Sequence, residues 1–193
     1  RSYSVTGVQT CALPIWATLM AGAQEARGGV LFQIGGGLAQ PSYPGELEAY
    51  MSYSDSQPGV ERMKLGLNIG LGVPISAHAY LMGRIDGLGD RVYDSYDYMQ
   101  LNLYLYSVGA RYYPAMTGFF VEGSLGASKA VVMSSAYGMN SSNGALGYGV
   151  GIGYDFNPAM RGLSMAVEAR YAMLDIEGSS VGAFLLMLSA CVK

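Results

Sequence analysis

The sequence predicts an all-β fold: a closed, antiparallel, up-and-down barrel of about eight strands that crosses a lipid bilayer. Three observations lead there. Hydrophobic residues make up 51% of the 193-residue chain and charged residues only 13%, whereas a soluble domain carries about 25% charge. No stretch approaches the roughly 18 uninterrupted apolar residues that a spanning helix needs. The apolar residues instead recur at every second position, the period of a strand. The 28 glycines and 16 tyrosines point the same way, since glycine weakens helices and tyrosine favours strands.

The start of the chain stands apart from this pattern. Val5 to Ile15 read VTGVQTCALPI, which resembles, codon for codon, the translation of a common short-read sequencing adapter. Arg1 to about Trp16 is therefore read as an assembly artefact joined to a genuine reading frame. Ala17 to Ala23 reads as the remnant of a signal peptide, with Ala21-Gly22-Ala23 in the small-x-small form of a cleavage site. Residues 24–193 are expected to form a single domain.

The clearest strand is Met63 to Val73, where Met63, Leu65, Leu67, Ile69, Leu71 and Val73 share one face and Lys64, Gly66 and Asn68 the other. Leu146 to Phe156 repeats the pattern, its apolar and aromatic residues opposite Gly147, Gly149, Gly151, Gly153 and Asp155. Leu163 to Met173 repeats it again, opposite Ser164, Ala166, Glu168 and Arg170. Each run is about eleven residues, the length of a tilted membrane strand. Val30 to Leu38, Ala77 to Asp86, Leu101 to Tyr113, Phe119 to Val131 and Ala183 to Lys193 complete the set. In Leu101 to Tyr113 the leucines and Arg111 fall on one face, and a β-bulge near Ser107 is expected to separate them.

Connections alternate in length. Short turns are expected at Pro74 to Ser76, Pro114 to Gly118 and Asn157 to Gly162, each at a strand-ending proline. Longer polar stretches cover Ala39 to Glu61, Gly87 to Tyr98, Met133 to Asn143 and Asp175 to Gly182. Short periplasmic turns and long external loops are the pattern of bacterial outer-membrane barrels, and they put both termini in the periplasm.

Strands in lipid must have every backbone group paired, and only a closed sheet has no edge. The faces then tell the solvent. A lipocalin-like soluble barrel is apolar inside and charged outside; here one face is Leu, Ile, Val, Met and Tyr, and the other Gly, Ser, Asn and scattered charge, the inverted polarity of a membrane barrel. Tyr50, Tyr53, Tyr80, Tyr104, Tyr106, Tyr112, Tyr113, Tyr154 and Tyr171 are expected in the aromatic girdles at the two interfaces.

The segments VGARYYP (108–114), GFFVEGSLGAS (118–128), GYGVGIGYDF (147–156) and GLSMAVEARYAML (162–174) resemble the small eight-stranded outer-membrane barrels of the OmpA and OmpX type, and more broadly the outer membrane beta-barrel domain group. The resemblance implies a monomeric protein of the outer membrane of a diderm bacterium. Its partners would be outer-membrane lipid or lipopolysaccharide, the barrel-assembly machinery, and surface ligands held by the loops. Such barrels end in an aromatic residue, whereas this chain ends Cys191-Val192-Lys193, so a C-terminus clipped by a residue or two is expected.

Seven inward-facing charges stand out: Lys64, Arg84, Asp86, Arg111, Glu122, Glu168 and Arg170. The interior of an eight-stranded barrel is only wide enough for side chains to fill. Unpaired buried charge is very costly, so these groups are expected to pair as a salt-bridged plug, with a narrow ion path as the competing reading. No enzyme is predicted. The single histidine, His78, is followed by Ala79-Tyr80, whereas the lipid A deacylases of similar size use a His-x-Ser pair, and no carboxylate is near it in sequence. The 147–153 glycines share one strand face and precede no helix, so they are not a nucleotide loop. Asp86, Asp90, Asp94 and Asp97 do not follow an EF-hand spacing and read as solvated loop charge. No metal and no cofactor is expected. The net charge of −3 argues against nucleic acid. Once Cys11 is set aside with the artefact, Cys191 alone cannot form a disulfide framework.

Two functions follow from the architecture. One is a structural or surface-interaction protein, with Tyr43, Tyr50 and Tyr53 of the first loop as contact residues. The alternative is a narrow channel for ions or small hydrophobic molecules.

Overall fold

The computed structural model describes residues 29–193 apart from 115–117, 137, 143–144, 158–161 and 177. The expected adapter artefact and signal remnant lie outside the described residues. The chain forms β1 (Leu31–Ser42), α1 (Gly45–Asp55), β2 (Glu61–Ser76), β3 (Ala79–Tyr93) and β4 (Tyr98–Tyr112). It continues with β5 (Phe119–Ser134), β6 (Gly138–Ser141), β7 (Ala145–Asp155), β8 (Leu163–Ile176) and β9 (Ser179–Val192).

Every ladder is antiparallel, and β1 pairs with both β2 and β9, so the sheet closes on itself. The short β6 and the longer β7 both pair with β5 and together make one stave of an eight-stranded barrel. β6 holds the register Val131↔Ser141 and β7 the register Ser128↔Ala145. At Ser107, where a bulge was expected, the register runs unbroken on both sides, from Arg84↔Ser107 to Ser107↔Gly126.

Alternation sorts the side chains as a membrane barrel requires. On β2, Met63, Leu65, Leu67, Ile69 and Leu71 all face outward and are exposed, while Asn68 between them is buried. Val150, Ile152, Leu186 and Leu188 likewise face out. In water this surface would be unstable; in lipid it is the matching solvent. Among the described residues no helix is long and apolar enough to cross a membrane.

The strands run past the expected boundaries, and this changes the loops. Within 87–98, pairing continues to Tyr93↔Tyr98, leaving only residues 94–97 as a turn. There the Asp94 carboxylate accepts the backbone N–H groups of Tyr96 and Asp97 at 2.7 Å each, which holds its pKa below the usual carboxylate range. The 175–182 stretch is also mostly strand, with pairing to Ile176↔Ser179. Only the first external connection is long, and it is not loop alone. Pro44 is extended, and its carbonyl accepts the N–H groups of Leu47 and Glu48 at 3.0 and 3.2 Å, opening α1. Leu47 and Met51, one turn apart, share a helix face, and Met51 is fully buried in the barrel mouth. Pro58 follows the helix and helps end it.

At the other end, Gly118 closes the β4–β5 connection at φ +93°, where a Cβ would collide with the Asp155 carbonyl. Lys193 pairs with Gly162 through both backbone groups and with the Asp155 carboxylate.

The lumen is layered. Near α1 it is apolar, built on Leu88, Leu101, Leu103, Leu105, Leu185 and Met187 among others. Arginines and carboxylates cross its middle, and a second apolar group (Leu31, Tyr80, Met82, Tyr113, Phe120, Ala166 and Cys191) fills the periplasmic end. Tyr80 and Tyr113 are therefore interior residues, not girdle residues, because each shares the inward parity of Arg84 and Arg111 on its own strand. Tyr106, Tyr112, Tyr154 and Tyr171 do face outward.

Candidate functional site

Six charged side chains meet at mid-lumen: Arg84 and Asp86 from β3, Arg111 from β4, Glu122 from β5, and Glu168 and Arg170 from β8. Strand period two delivers each, since Arg84/Asp86 and Glu168/Arg170 are two apart and so share a face. None is more than 4% exposed. Arg84 Nε donates to Asp86 Oδ1 at 2.7 Å, and its Nη1 reaches Glu122 Oε1 at 3.1 Å and Glu168 at 3.0 Å. Arg111 Nη2 lies 2.7 Å from Glu122 Oε2. Arg170 Nη1 lies 3.0 Å from Glu122 Oε1, and its Nε 2.9 Å from Asp86 Oδ2. Three arginines face three carboxylates, so the layer is neutral, and Glu122 touches all three cations.

Neutral side chains complete it. Gln33 of β1 accepts from Arg111 Nη2 at 2.8 Å and donates to Ser189 Oγ of β9 at 3.0 Å. Ser124 Oγ accepts from Arg170 at 2.5 Å. The Arg111 guanidinium also stacks 4.0 Å from the Phe120 ring centre, a cation–π contact. Gln33, Ser124 and Ser189 were not singled out from the sequence, although their inward parity was available as a signal.

The glycine run of β7 makes room for this layer. A Cβ at Gly149 would run into the Arg170 guanidinium, and one at Gly151 would sit 3.0 Å from Glu168 Oε1. Gly149→Ala should therefore destabilise the barrel by about 1–3 kcal/mol, the usual cost of overpacking. Urea unfolding in lipid vesicles would measure it, and an unchanged midpoint would show that Arg170 has slack.

Lys64 does not join the six. It is half-buried toward the mouth and makes no ion pair among the described residues. Its register partner Asp90 is held instead by Arg62, through Nε at 2.9 Å and Nη2 at 2.7 Å. Tyr43 adds to this pair, its hydroxyl donating to Asp90 Oδ2 at 2.9 Å. Tyr43 is thus a buried strut at the entry to α1, not an exposed contact residue. Burial, with the Asp90 carboxylate beside it, holds its phenol well above the ordinary tyrosine pKa, so it remains a donor at any physiological pH. Tyr50 and Tyr53 are exposed on α1, and Tyr96, overlooked in the sequence, is 93% exposed at the β3–β4 turn.

The four aspartates do not converge. Asp86 and Asp90 are buried inside against arginines, while Asp94 and Asp97 sit at the turn. His78 occupies the β2–β3 turn, with Nδ1 3.0 Å from the Tyr113 carbonyl oxygen.

Comparison with known proteins agrees with this geometry. The family described as outer membrane protein beta-barrel domain matches residues 10–190. Among solved structures, the Ail attachment invasion locus protein of Yersinia pestis, in complex with the heparin analogue sucrose octasulfate, is similar at a TM-score of 0.58 and 16% identity. That match covers 84% of this chain and 97% of Ail. Neisserial surface protein A is similar at a TM-score of 0.57 and 14% identity, covering 86% of this chain and 97% of its own. No curated protein sequence matches. The protein belongs to the outer membrane protein beta-barrel domain family, and its place is the outer membrane of a diderm bacterium.

Proposed function

We propose that this protein is a sealed, monomeric, non-catalytic anchor in the outer membrane that meets its partners through α1 and the external hairpin tips. The observation that carries the reading is the neutral charged layer, whose six side chains are buried and engage one another from four different strands. Moving one of them aside would leave the others uncompensated in a confined space, which costs several kcal/mol per ion. The lumen is therefore a support rather than a path. In planar bilayers the purified protein should show no steady conductance; stable open levels would favour the channel reading.

The contact surface is acidic and aromatic. Tyr50, Tyr53 and Tyr96 are exposed, alongside Asp55, Glu61, Asp94 and Asp97. This charge favours a neutral or cationic partner over a sulfated glycan of the kind bound to Ail. The protein should pass through a heparin column at physiological ionic strength, and retention there would contradict the assignment. Deleting residues 45–57 with a short link should preserve the boiling-dependent gel shift of a closed barrel and reduce adhesion of expressing cells at least fivefold. Full adhesion by that variant would rule out α1. The deletion spares Pro41 and Ser42, which belong to β1 and pair with Ala183 and Gly182.

A further inference from the structure

The lumen on the external side of the charged layer is apolar and contains a cavity of about 840 Å³. Its wall includes Leu101, Leu103, Val132 and Val181, and Leu47 of α1 leans over it. Among the described residues none that lines it is ionisable; Asn140, Ser141, Ser142 and Ser179 supply its polar part. Ser142 Oγ already accepts the Ala130 N–H at 2.9 Å. Across the mouth, Asp90 is fully engaged by Arg62 and Tyr43. The volume falls within the range of about 300–1,000 Å³ typical of small-molecule sites, which combine apolar walls with a few polar groups. Water there finds few partners, and replacing poorly held water by an apolar group is favourable.

We propose that this chamber binds an uncharged, mainly aliphatic molecule that enters from the external side. Its chain lies among Leu101, Leu103 and Val181, and its neutral polar end meets Asn140 and Ser179. A charged headgroup is disfavoured because the described residues of the wall include no ionisable group to pair with it, and burying an unpaired charge is costly. The site is a dead end: beyond Leu105 and Met187 the ion-paired layer blocks passage. This goes beyond the surface-contact reading and does not depend on which partner the external face meets.

The test uses the full chain folded in lipid nanodiscs with methyl-labelled leucine, titrated with 1-decanol. Leu47, Leu101 and Leu103 should show saturable shifts. Lipid-facing Leu65, Leu67 and Leu71 should drift only linearly as decanol enters the bilayer. Decyl sulfate, with the same chain and an anionic head, should bind at least tenfold more weakly. Ala130→Trp, which fills the chamber, should weaken decanol binding at least tenfold. Leu47→Glu, which sets a carboxylate at the mouth from α1 and leaves the barrel wall intact, should do the same and serves if Ala130→Trp does not fold. The proposal is overturned by inward leucines that drift like the outward ones, by decyl sulfate binding as tightly as decanol, or by saturable binding that survives in a folded variant.

Discussion

Glu122→Ala should lower the unfolding free energy of the barrel by about 3–5 kcal/mol, the cost of removing one partner from a buried ionic group. Glu122 lies within 3.1 Å of Arg84, Arg111 and Arg170 together, whereas Glu168 is that near only to Arg84 and stands 3.7 Å from the other two. Without it, three buried guanidinium groups share the two carboxylates of Asp86 and Glu168, and the layer gains a net positive charge. Glu122→Gln keeps the volume and loses the charge, so it should also destabilise. Lys64→Ala is the control: Lys64 faces the lumen but stands outside the cluster, and its loss should change stability by no more than about 0.5 kcal/mol. Equilibrium urea unfolding in vesicles, read by the gel shift on boiling, compares the three. A loss near 1 kcal/mol for Glu122→Ala, the value of a solvated surface pair, would mean that water reaches the layer and that the lumen is not sealed.

Ile69→Arg should cost about 2–4 kcal/mol, the penalty for a basic residue on the lipid face near mid-bilayer. Ile69 is 46% exposed, and by solvent exposure alone the substitution would be harmless. It pairs across the ladder with Ile85, level with Arg84 and Asp86, and it is the middle of the seven outward residues from Met63 to Ile75 on β2. Tyr96→Arg, at the 94–97 turn, replaces a residue even more exposed and should leave the midpoint unchanged. Equal, small effects at both positions would show that the outer surface of β2 faces water.

A third substitution separates strut from surface. Tyr43→Phe removes the hydroxyl that reaches Asp90 while leaving the Arg62–Asp90 pair in place. It should cost about 0.5–1.5 kcal/mol, the net value of one hydrogen bond, and should speed proteolytic cleavage within α1. Cleavage at the parental rate would mean that Met51 alone holds the helix in the mouth.

Much of this was legible in the sequence, and the reason is local. Period two on Met63–Val73, Leu146–Phe156 and Leu163–Met173 requires only neighbouring residues, and the structure keeps those faces. Charged residues on the polar face, such as Glu122, Glu168 and Arg170, had nowhere to go but inward. The misreadings share a different cause. Leu101, Leu103 and Leu105 were assigned away from Arg111 because an apolar residue on a membrane strand was taken to face lipid. They face the lumen with it, since Leu185, Met187 and Ala130 approach the same height from other staves. Tyr43, Tyr80 and Tyr113 were placed at the surface by residue type, and Asp90 was read as loop charge because the strand was ended at Asp86; Asp86 itself faces inward, as its place among the seven inward charges required. Helix α1 was hidden in a polar loop, its burial resting on Met51 and Leu47 finding an apolar mouth beneath them.

By itself, then, the sequence determined the strand period, the all-β class, the number of staves and the inverted polarity that demands a membrane. Each of these is a property of residues one or two positions apart along one strand. The tertiary structure alone decided which arginine meets which carboxylate, that Lys64 is left out while Gln33 is drawn in, and that the lumen is apolar near α1. These depend on how far each strand is staggered against the next around a closed ring. That stagger sets the height of every inward side chain, and no single strand encodes it.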